Sequence, residues 1–182
     1  MRIRLREKYT PEELAKVYSD VKSHEEAYDH VARVETSIGL IKTLSNINSV
    51  ADLSAGDAAI INALDIPNKY IGDYVSKYEF SGPIEKSILE IPEVDLFICS
   101  ETLEHLDNPD DVLLRIRKKT KYLLLSTPNG ETNDNNPEHY WGWDTKAIHA
   151  MLQVAGFTPV ALNRLSFFEE YYCYEFQIWL AQ

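Results

Sequence analysis

The chain has 182 residues, 45% of them hydrophobic, and a formal net charge of −11 from 29 acidic and 18 basic residues. This length and apolar content predict one domain, residues 1–182, with its own core. No apolar run reaches the length of a membrane span, and residues 1–8 lack the apolar stretch of a secretory signal. The two cysteines form no disulfide framework, so we expect a cytoplasmic location, with Cys99 as a core residue. The negative charge disfavours nucleic acid as a partner because a polyanion would be repelled.

The first part of the chain is predicted to be helical. A capping signature at residues 10–13 predicts a short helix to about Ser19. A second signature at residues 23–26 opens a long amphipathic helix that ends near Leu44. We therefore expect residues 1–45 to form an N-terminal helical cover over an α/β core of residues 46–182.

Beyond Ser49, short apolar strands alternate with short helices. Strands are predicted near residues 50–53, 69–74, 78–80, 94–100, 122–127, 158–165 and 174–181, and helices near residues 58–64, 84–89, 109–119 and 145–155. This succession predicts a single-domain α/β fold with a doubly wound, mostly parallel sheet. The last two strands follow each other across an aromatic loop, which predicts an antiparallel C-terminal edge strand.

The segment from Val94 to Asn129 contains the most specific pattern. An apolar strand, an acidic turn with Glu104 and His105, a short amphipathic helix and a second strand follow one another. Loops at the carboxyl ends of parallel strands are where open α/β sheets bind ligands. The stretches Leu103–Leu106 (LEHL) and Ser126–Asn129 (STPN) resemble class I S-adenosylmethionine-dependent methyltransferases, in the branch that includes ubiquinone-biosynthesis O-methyltransferases. The order of elements matches that family from about residue 24 to the end.

The resemblance implies S-adenosylmethionine as cofactor. The family's first motif, an acid followed by three spaced glycines, reads here Asp52-Leu53-Ser54-Ala55-Gly56-Asp57-Ala58, so Ser54 and Ala58 replace two glycines. Asp73 follows the next strand and is the expected ribose ligand, and the helix from His24 to Arg33 could cover the cofactor. The cofactor-binding residues implied by the resemblance are Asp52, Ser54, Ala55, Gly56, Asp73, Glu85, Ser100, Glu101 and Glu104.

Candidate catalytic residues lie near the predicted crevice. Histidine suits a general base because its pKa lies near working pH. His139, in the aromatic loop of residues 136–143, is the first candidate, followed by His105 and then Tyr140. No metal site is predicted, since Glu104, His105 and Asp107 are expected to form a solvated acidic turn.

These observations predict a methyltransferase that acts on oxygen or nitrogen of a small molecule. The nucleic-acid signature with Pro-Pro-aromatic after the fourth core strand is absent, because residues 100–103 read Ser-Glu-Thr-Leu. Two alternatives stay open. The substitutions Ser54 and Ala58 suit a protein that binds S-adenosylmethionine or S-adenosylhomocysteine with little or no catalysis, and the chain's small size suits a modifier of a protein or nucleic-acid partner inside a complex.

Overall fold

A computed structural model of the chain describes residues 1–10, 12–13, 16, 28–74, 78–130, 136–169 and 172–182. The strands are β1 (Arg2–Arg4), β2 (Ser49–Asp52), β3 (Asn68–Asp73), β4 (Phe80–Ser81), β5 (Val94–Ser100), β6 (Thr120–Asn129), β7 (Trp141–Trp143), β8 (Pro159–Glu169) and β9 (Tyr172–Ala181). The α-helices are α1 (Tyr28–Ile41), α2 (Ala59–Asn62), α3 (Ile84–Glu90), α4 (Pro109–Lys119) and α5 (Thr145–Val154), and Leu103–His105 forms a 3₁₀ turn.

Seven strands form one sheet in the order β4-β3-β2-β5-β6-β9-β8. The strands from β4 to β6 are parallel, and β9 runs antiparallel to both β6 and β8. The predicted doubly wound, mostly parallel sheet with an antiparallel edge is therefore confirmed. In detail, the last strand inserts between β6 and β8, so β8 forms the edge itself.

The central strand β5 is buried on both faces of the sheet. Phe97 and Cys99 pack with α3, α4 and α5, whereas Leu96 and Ile98 pack with α1 and α2. All four side chains are fully buried. The pattern is the continuous apolar run expected of a parallel strand covered by helices on two sides, and it confirms Cys99 as a core residue.

Short-range sequence signals fix the helix ends. The Asn108 side chain accepts a hydrogen bond from the backbone N–H of Asp111 at the start of α4 (3.3 Å), and Asp144 accepts one from Ala147 at the start of α5 (2.9 Å). The capping box at residues 10–13 is also present, since Thr10 and Glu13 exchange hydrogen bonds. Most of the helix predicted to follow Thr10 lies outside the described residues.

One small sheet was not predicted. The N-terminal strand β1 pairs antiparallel with β7. The guanidinium group of Arg2 lies 4.2 Å from the ring centroid of Trp141, and Arg4 donates a hydrogen bond to the Asp107 carboxylate (2.6 Å). The N-terminal arginines thus pair with the acidic turn and the aromatic loop. The expected helical cover of residues 1–45 is therefore wrong at its start, because residues 2–4 form a strand.

Among the described residues, every helix is too short or too polar to serve as a membrane-spanning segment.

Gly72 in β3 lies close to the backbone of β4, and its replacement tests the packing of β3 against β4. A Cβ at this position would lie 2.6 Å from the backbone oxygen of Phe80. We expect Gly72→Ala to lower the free energy of unfolding by about 1–3 kcal/mol because backbone must move. The matched control is Gly39→Ala in α1, where no atom lies within 4 Å of the new Cβ and the helix gains about 0.5–1 kcal/mol. Urea denaturation measures the stability of both variants. A free energy of unfolding for Gly72→Ala equal to that of the parent would contradict the prediction.

Candidate functional site

A cleft of about 390 Å³ opens at the carboxyl ends of β2, β3 and β5. Its described lining comes from the turns after these strands, the start of α3, the 3₁₀ turn, the segment that follows β1 and the aromatic loop. The lining residues are Lys8, Tyr9, Leu53, Ser54, Asp73, Tyr74, Gly82, Pro83, Ile84, Glu85, Glu101, Thr102, His105, Leu106, Asp107, Glu138 and Tyr140. This is the edge of the sheet at which a parallel α/β fold binds ligands.

The turn after β2 forms one wall of the cleft. Gly56 and Ala58 both have left-handed backbone conformations, with φ of 55° and 60°. Ser54 contacts Thr102 through its hydroxyl oxygen (2.6 Å) and lines the cleft, whereas Ala55 and Gly56 stand outside the lining. A glycine-type turn is therefore built here although two of the three glycine positions hold other residues, and Ala58 adopts its conformation at a cost of about 1–2 kcal/mol.

Asp52 ends β2 beneath this turn and does not reach the cleft. It is 3% exposed and accepts a hydrogen bond from the backbone N–H of Ser54 (3.2 Å). Burial raises the pKa of Asp52 to about 7, and the negative charges of Asp73 and Asp57 add to the rise. Asp52 thus stabilises the backbone of the turn through this hydrogen bond and does not line the cleft.

Asp73 and Glu85 lie at the β3 side of the cleft. One carboxylate oxygen of Asp73 accepts a hydrogen bond from the backbone N–H of Gly56 (2.8 Å), which links the ends of β2 and β3. The hydroxyl of Tyr78 donates to the backbone oxygen of the same glycine (2.8 Å). Glu85 lines the cleft from the first turn of α3. Ser54, Asp73 and Glu85 thus lie along one cleft.

The turn after β5 holds a polar cluster. Glu101 has a φ of 49° and accepts a hydrogen bond from the Ser126 hydroxyl (2.8 Å). Ser100 contacts the same hydroxyl (2.8 Å) and accepts a hydrogen bond from the Arg33 guanidinium (2.7 Å). Burial raises the pKa of Glu101, while the positive charge of Arg33 opposes the rise. Helix α1 thus brings a cation to the carboxyl end of β5.

Glu104 is fully buried, so the prediction of a solvated acidic turn is wrong at this position. Its side chain folds inward because the 3₁₀ turn packs on β6 and β7, where Thr127 donates a hydrogen bond to its Oε2 atom (3.0 Å). The Trp143 indole N–H donates in turn to the Thr127 hydroxyl (2.8 Å). Burial raises the pKa of Glu104 to about 8, and the negative charge of Glu101 adds to the rise.

The three candidate catalytic residues lie next to Glu104. The rings of His105 and His139 meet edge to face with centroids 4.8 Å apart. His105 Nδ1 lies 3.2 Å from the backbone oxygen of Glu138, and His139 Nε2 lies 3.1 Å from the Asn136 amide nitrogen. Tyr140 is buried, and its backbone N–H donates to the Glu104 carbonyl (2.6 Å). His105 and Tyr140 line the cleft, and His139 stands behind them.

Lys8 and Tyr9, which were not among the residues expected from the sequence, line the cleft beside Tyr140 of the aromatic loop. The Tyr9 and Tyr140 ring centroids are 5.7 Å apart, and the Tyr140 hydroxyl accepts a hydrogen bond from the Tyr9 backbone N–H (3.3 Å). The alternation of arginine and apolar residues before them is the signal that could have revealed a strand, because a period of two is typical of β-structure.

The raised pKa of Asp52 predicts a pH dependence of stability. Between about pH 4 and pH 7 Asp52 is ionised in the unfolded chain but protonated in the folded one, so its contribution lowers folding stability as the pH rises. We expect Asp52→Asn to gain stability relative to the parent through this window, reaching a few kcal/mol, at about 1.4 kcal/mol per pKa unit.

Asp95→Asn is the control of opposite sign. Hydrogen bonds from the backbone N–H groups of Asn48 and Ser49 lower the pKa of Asp95, so this variant should lose stability above pH 4 and recover it in acid. Denaturation of both variants between about pH 2 and pH 8 measures the two trends, the Asp95 trend below about pH 4 and the Asp52 trend above it. The prediction would be contradicted if the free energies of unfolding of Asp52→Asn and the parent differed by the same amount at every pH.

Comparison with known proteins gives structural matches only. No protein-family model matches the chain, and no curated protein matches it significantly in sequence. The fold is similar to that of Burkholderia thailandensis 1,6-didemethyltoxoflavin N1-methyltransferase, which was crystallised with its substrate and S-adenosylhomocysteine. The TM-score is 0.68 at 16% identity, over 97% of this chain and 91% of that one.

Two further structures give the same result. An S-adenosylmethionine-dependent methyltransferase from Leishmania major matches with a TM-score of 0.69 at 15% identity, over 93% of this chain and 82% of that one. Magnesium protoporphyrin IX methyltransferase from Synechocystis, crystallised with S-adenosylhomocysteine, matches with a TM-score of 0.65 at 14% identity, over 93% of this chain and 92% of that one. At these identities the likeness concerns the fold, and the chain has the Rossmann-like fold of these methyltransferases.

Proposed function

We propose that this protein is an S-adenosylmethionine-dependent methyltransferase that acts on oxygen or nitrogen of a small molecule. The observation that carries the proposal is one cleft with two chemically different ends. Ser54, Asp73 and Glu85 lie at the end formed by β2, β3 and α3, and His105 and Tyr140 lie at the end formed by the β5 turn and the aromatic loop. A methyl donor and a methyl acceptor need such adjoining sites, since transfer requires the two reacting atoms in line.

The first end of the cleft suits an adenosyl cofactor. The Asp73 carboxylate has two oxygens and can accept hydrogen bonds from both hydroxyls of a ribose, as acids after the second strand do in nucleotide-binding folds. Gly56 leaves open space beside its backbone, with no atom within 4 Å of a built Cβ. The solved neighbours that were crystallised with S-adenosylhomocysteine share this fold and support the same cofactor here.

The second end suits an acceptor that must lose a proton. When bound, the cofactor supplies an activated methyl group whose carbon–sulfur bond breaks as the new bond to oxygen or nitrogen forms. The chain's own residues hold the acceptor in line and take the proton from its O–H or N–H group. We propose His139 or His105 for this proton, with Tyr140 as the alternative, because all three lie on or directly behind the cleft wall.

A cofactor-binding protein without catalysis is the second candidate. Ser54 and Ala58 at two glycine positions favour it, because any added side chain narrows the approach of a ligand to the backbone. Cofactor binding together with no turnover on a wide panel of phenols, amines and hydroxy acids would support this candidate over the first.

Calorimetry tests the cofactor assignment. We expect S-adenosylmethionine and S-adenosylhomocysteine to bind with micromolar affinity, about −6 to −8 kcal/mol, and NAD not to compete. Asp73→Ala should weaken binding by about 1.5–3 kcal/mol, the size of a hydrogen bond to a charged group. Gly56→Val should abolish binding by filling the open space, whereas Gly156→Val, which has a similar positive φ (89°) at the end of α5, should bind normally. Parent-like binding by both Asp73→Ala and Gly56→Val would refute the site.

The acceptor end is tested by His139→Ala. We expect this variant to lower turnover of a true acceptor by about 10²–10⁴-fold, the usual cost of losing a general base, with little change in cofactor affinity. His149→Ala on α5 is the control and should keep full turnover, since this exposed ring lies beside Trp179 and outside the lining of the cleft. Full turnover by His139→Ala would exclude any role for this residue in the chemistry.

A further inference from the structure

Helix α1 carries a histidine and an arginine that reach two different turns at the edge of the sheet. His30 and Arg33 lie three positions apart on α1, so they share one face of the helix. His30 Nε2 lies 3.2 Å from the carboxylate of Asp57 in the turn after β2, and Arg33 donates a hydrogen bond to Ser100 at the end of β5 (2.7 Å). The two side chains also contact each other, since His30 Nδ1 lies 3.0 Å from a guanidinium nitrogen of Arg33.

The proton on the His30 ring is assigned by the chemistry of its neighbours. A guanidinium group has only N–H donors, so His30 Nδ1 accepts from Arg33 and carries no proton. The proton of the neutral ring then lies on Nε2 and is donated to the Asp57 carboxylate. The other oxygen of this carboxylate accepts a hydrogen bond from the backbone N–H of Ala59 at the start of α2 (3.0 Å). Arg33, His30 and Asp57 therefore form a first arm in which every donor meets an acceptor.

A second arm leads from the same guanidinium to β5 and β6. Arg33 donates to the Ser100 hydroxyl, which lies 2.8 Å from the Ser126 hydroxyl. Ser126 donates to the Glu101 carboxylate (2.8 Å). Because Ser126 uses its single proton on Glu101, Ser100 must be the donor between the two hydroxyls. Two chains of hydrogen bonds thus start at Arg33, and each ends on a carboxylate, that of Asp57 or that of Glu101.

Both carboxylates belong to turns whose backbone is strained. Asp57 lies between Gly56 and Ala58, which have φ of 55° and 60°, and Glu101 itself has φ of 49°. A residue other than glycine in this region costs about 1–2 kcal/mol. Such conformations persist where the surrounding contacts hold them. The two arms provide contacts of this kind from one helix.

The arms are partly shielded from water and are held from a third side. The side chains of His30 and Asp57 are only 18% and 24% exposed, which strengthens the hydrogen bond between them. The Arg33 guanidinium lies 5.8 Å from the ring centroid of Phe176 in β9, within the range of a cation–π contact. The cation is therefore fixed between the two turns.

We propose that His30 and Arg33 are positioning residues that fix the turn after β2 and the turn after β5 relative to each other through α1. The inference rests on the proposed function, in which the first turn belongs to the donor end of the cleft and the second to the acceptor end. In-line transfer requires a fixed separation of the two ends. Neither residue lines the cleft, so both act through Asp57 and Ser100. Loss of the first arm should weaken cofactor binding, because the turn beside the cofactor loses its support.

The protonation of the His30 ring is tested without any cofactor. Nitrogen-15 NMR of the full chain, labelled at histidine, distinguishes protonated from unprotonated ring nitrogens, and the spectrum of His30→Gln assigns the signals. At about pH 8, where histidine is ordinarily neutral, we expect Nδ1 of His30 without a proton and Nε2 with one. Arg33→Met keeps an apolar side chain without the donor and should shift the Nδ1 resonance. A proton on Nδ1 in the parent, or the same Nδ1 resonance in Arg33→Met, would overturn the proposal.

Calorimetry with S-adenosylhomocysteine tests the coupling to the cofactor turn. Asp57→Asn keeps the oxygen that accepts from Ala59 and places an amide donor against the His30 N–H group. We expect His30→Ala and Asp57→Asn each to weaken binding by about 3- to 10-fold, the size of one hydrogen bond. The double variant should lose no more than the larger single loss, since both changes break the same arm. His30→Gln offers one acceptor and one donor and should bind within about 2-fold of the parent.

Glu35→Ala is the matched control, because it removes an exposed carboxylate from the same helix. This variant should leave both the His30 resonances and the affinity as in the parent. Additive losses in the double variant, parent-like binding by His30→Ala, or equal loss in Glu35→Ala would each refute the coupling, and circular dichroism checks that every variant is folded. If the parent binds no S-adenosylhomocysteine, the proposed function fails, and the nitrogen-15 spectra alone then decide whether the first arm exists.

Discussion

The parallel pairing of β5 with β2 on one side and β6 on the other is the constraint on which this structure depends. Four successive residues of β5 are completely buried, two against each layer of helices. A shift of one residue in this register would exchange the two faces, so that each side chain would meet the helix layer that now packs against its neighbours. Because the register is fixed, Asp52 is level with Ile98 and Ser100 is level with Ser126, and the hydroxyl groups of Ser100 and Ser126 meet.

The same geometry places negative charge where little water reaches it. Asp52 ends β2, Glu101 and Glu104 follow β5, and burial raises the pKa of each. Carboxylates in such positions lower the stability of the folded chain when they are ionised. Strain is present in the same turns, since Ala58 and Glu101 both have positive φ. Costs of this kind commonly gather at functional sites, where a bound ligand offsets them.

The N-terminal strand connects two features that look unrelated in the sequence. Its arginines contact Asp107 in the acidic turn, Asp110 in the first turn of α4 and Trp141 in the aromatic loop. The basic segment at the start of the chain is thus engaged within the protein, and it carries Lys8 and Tyr9 to the wall of the cleft. The loop that holds His139 is fixed from two directions, by β1 and by the hydrogen bond between Tyr140 and the Glu104 carbonyl.

Local patterns in the sequence determined the fold class, the strands of the core and the ends of α4 and α5, because periodicity, capping residues and proline act over a few residues. They also placed Ser54, Asp73 and Glu85 at one edge of the sheet, since the carboxyl ends of parallel strands meet there. The pairing of β1 with β7, the inward turn of Glu104 and the meeting of His105 with His139 could not be read from the sequence. Each depends on contacts between segments more than 20 residues apart, where burial and charge pairing in the folded chain decide the outcome.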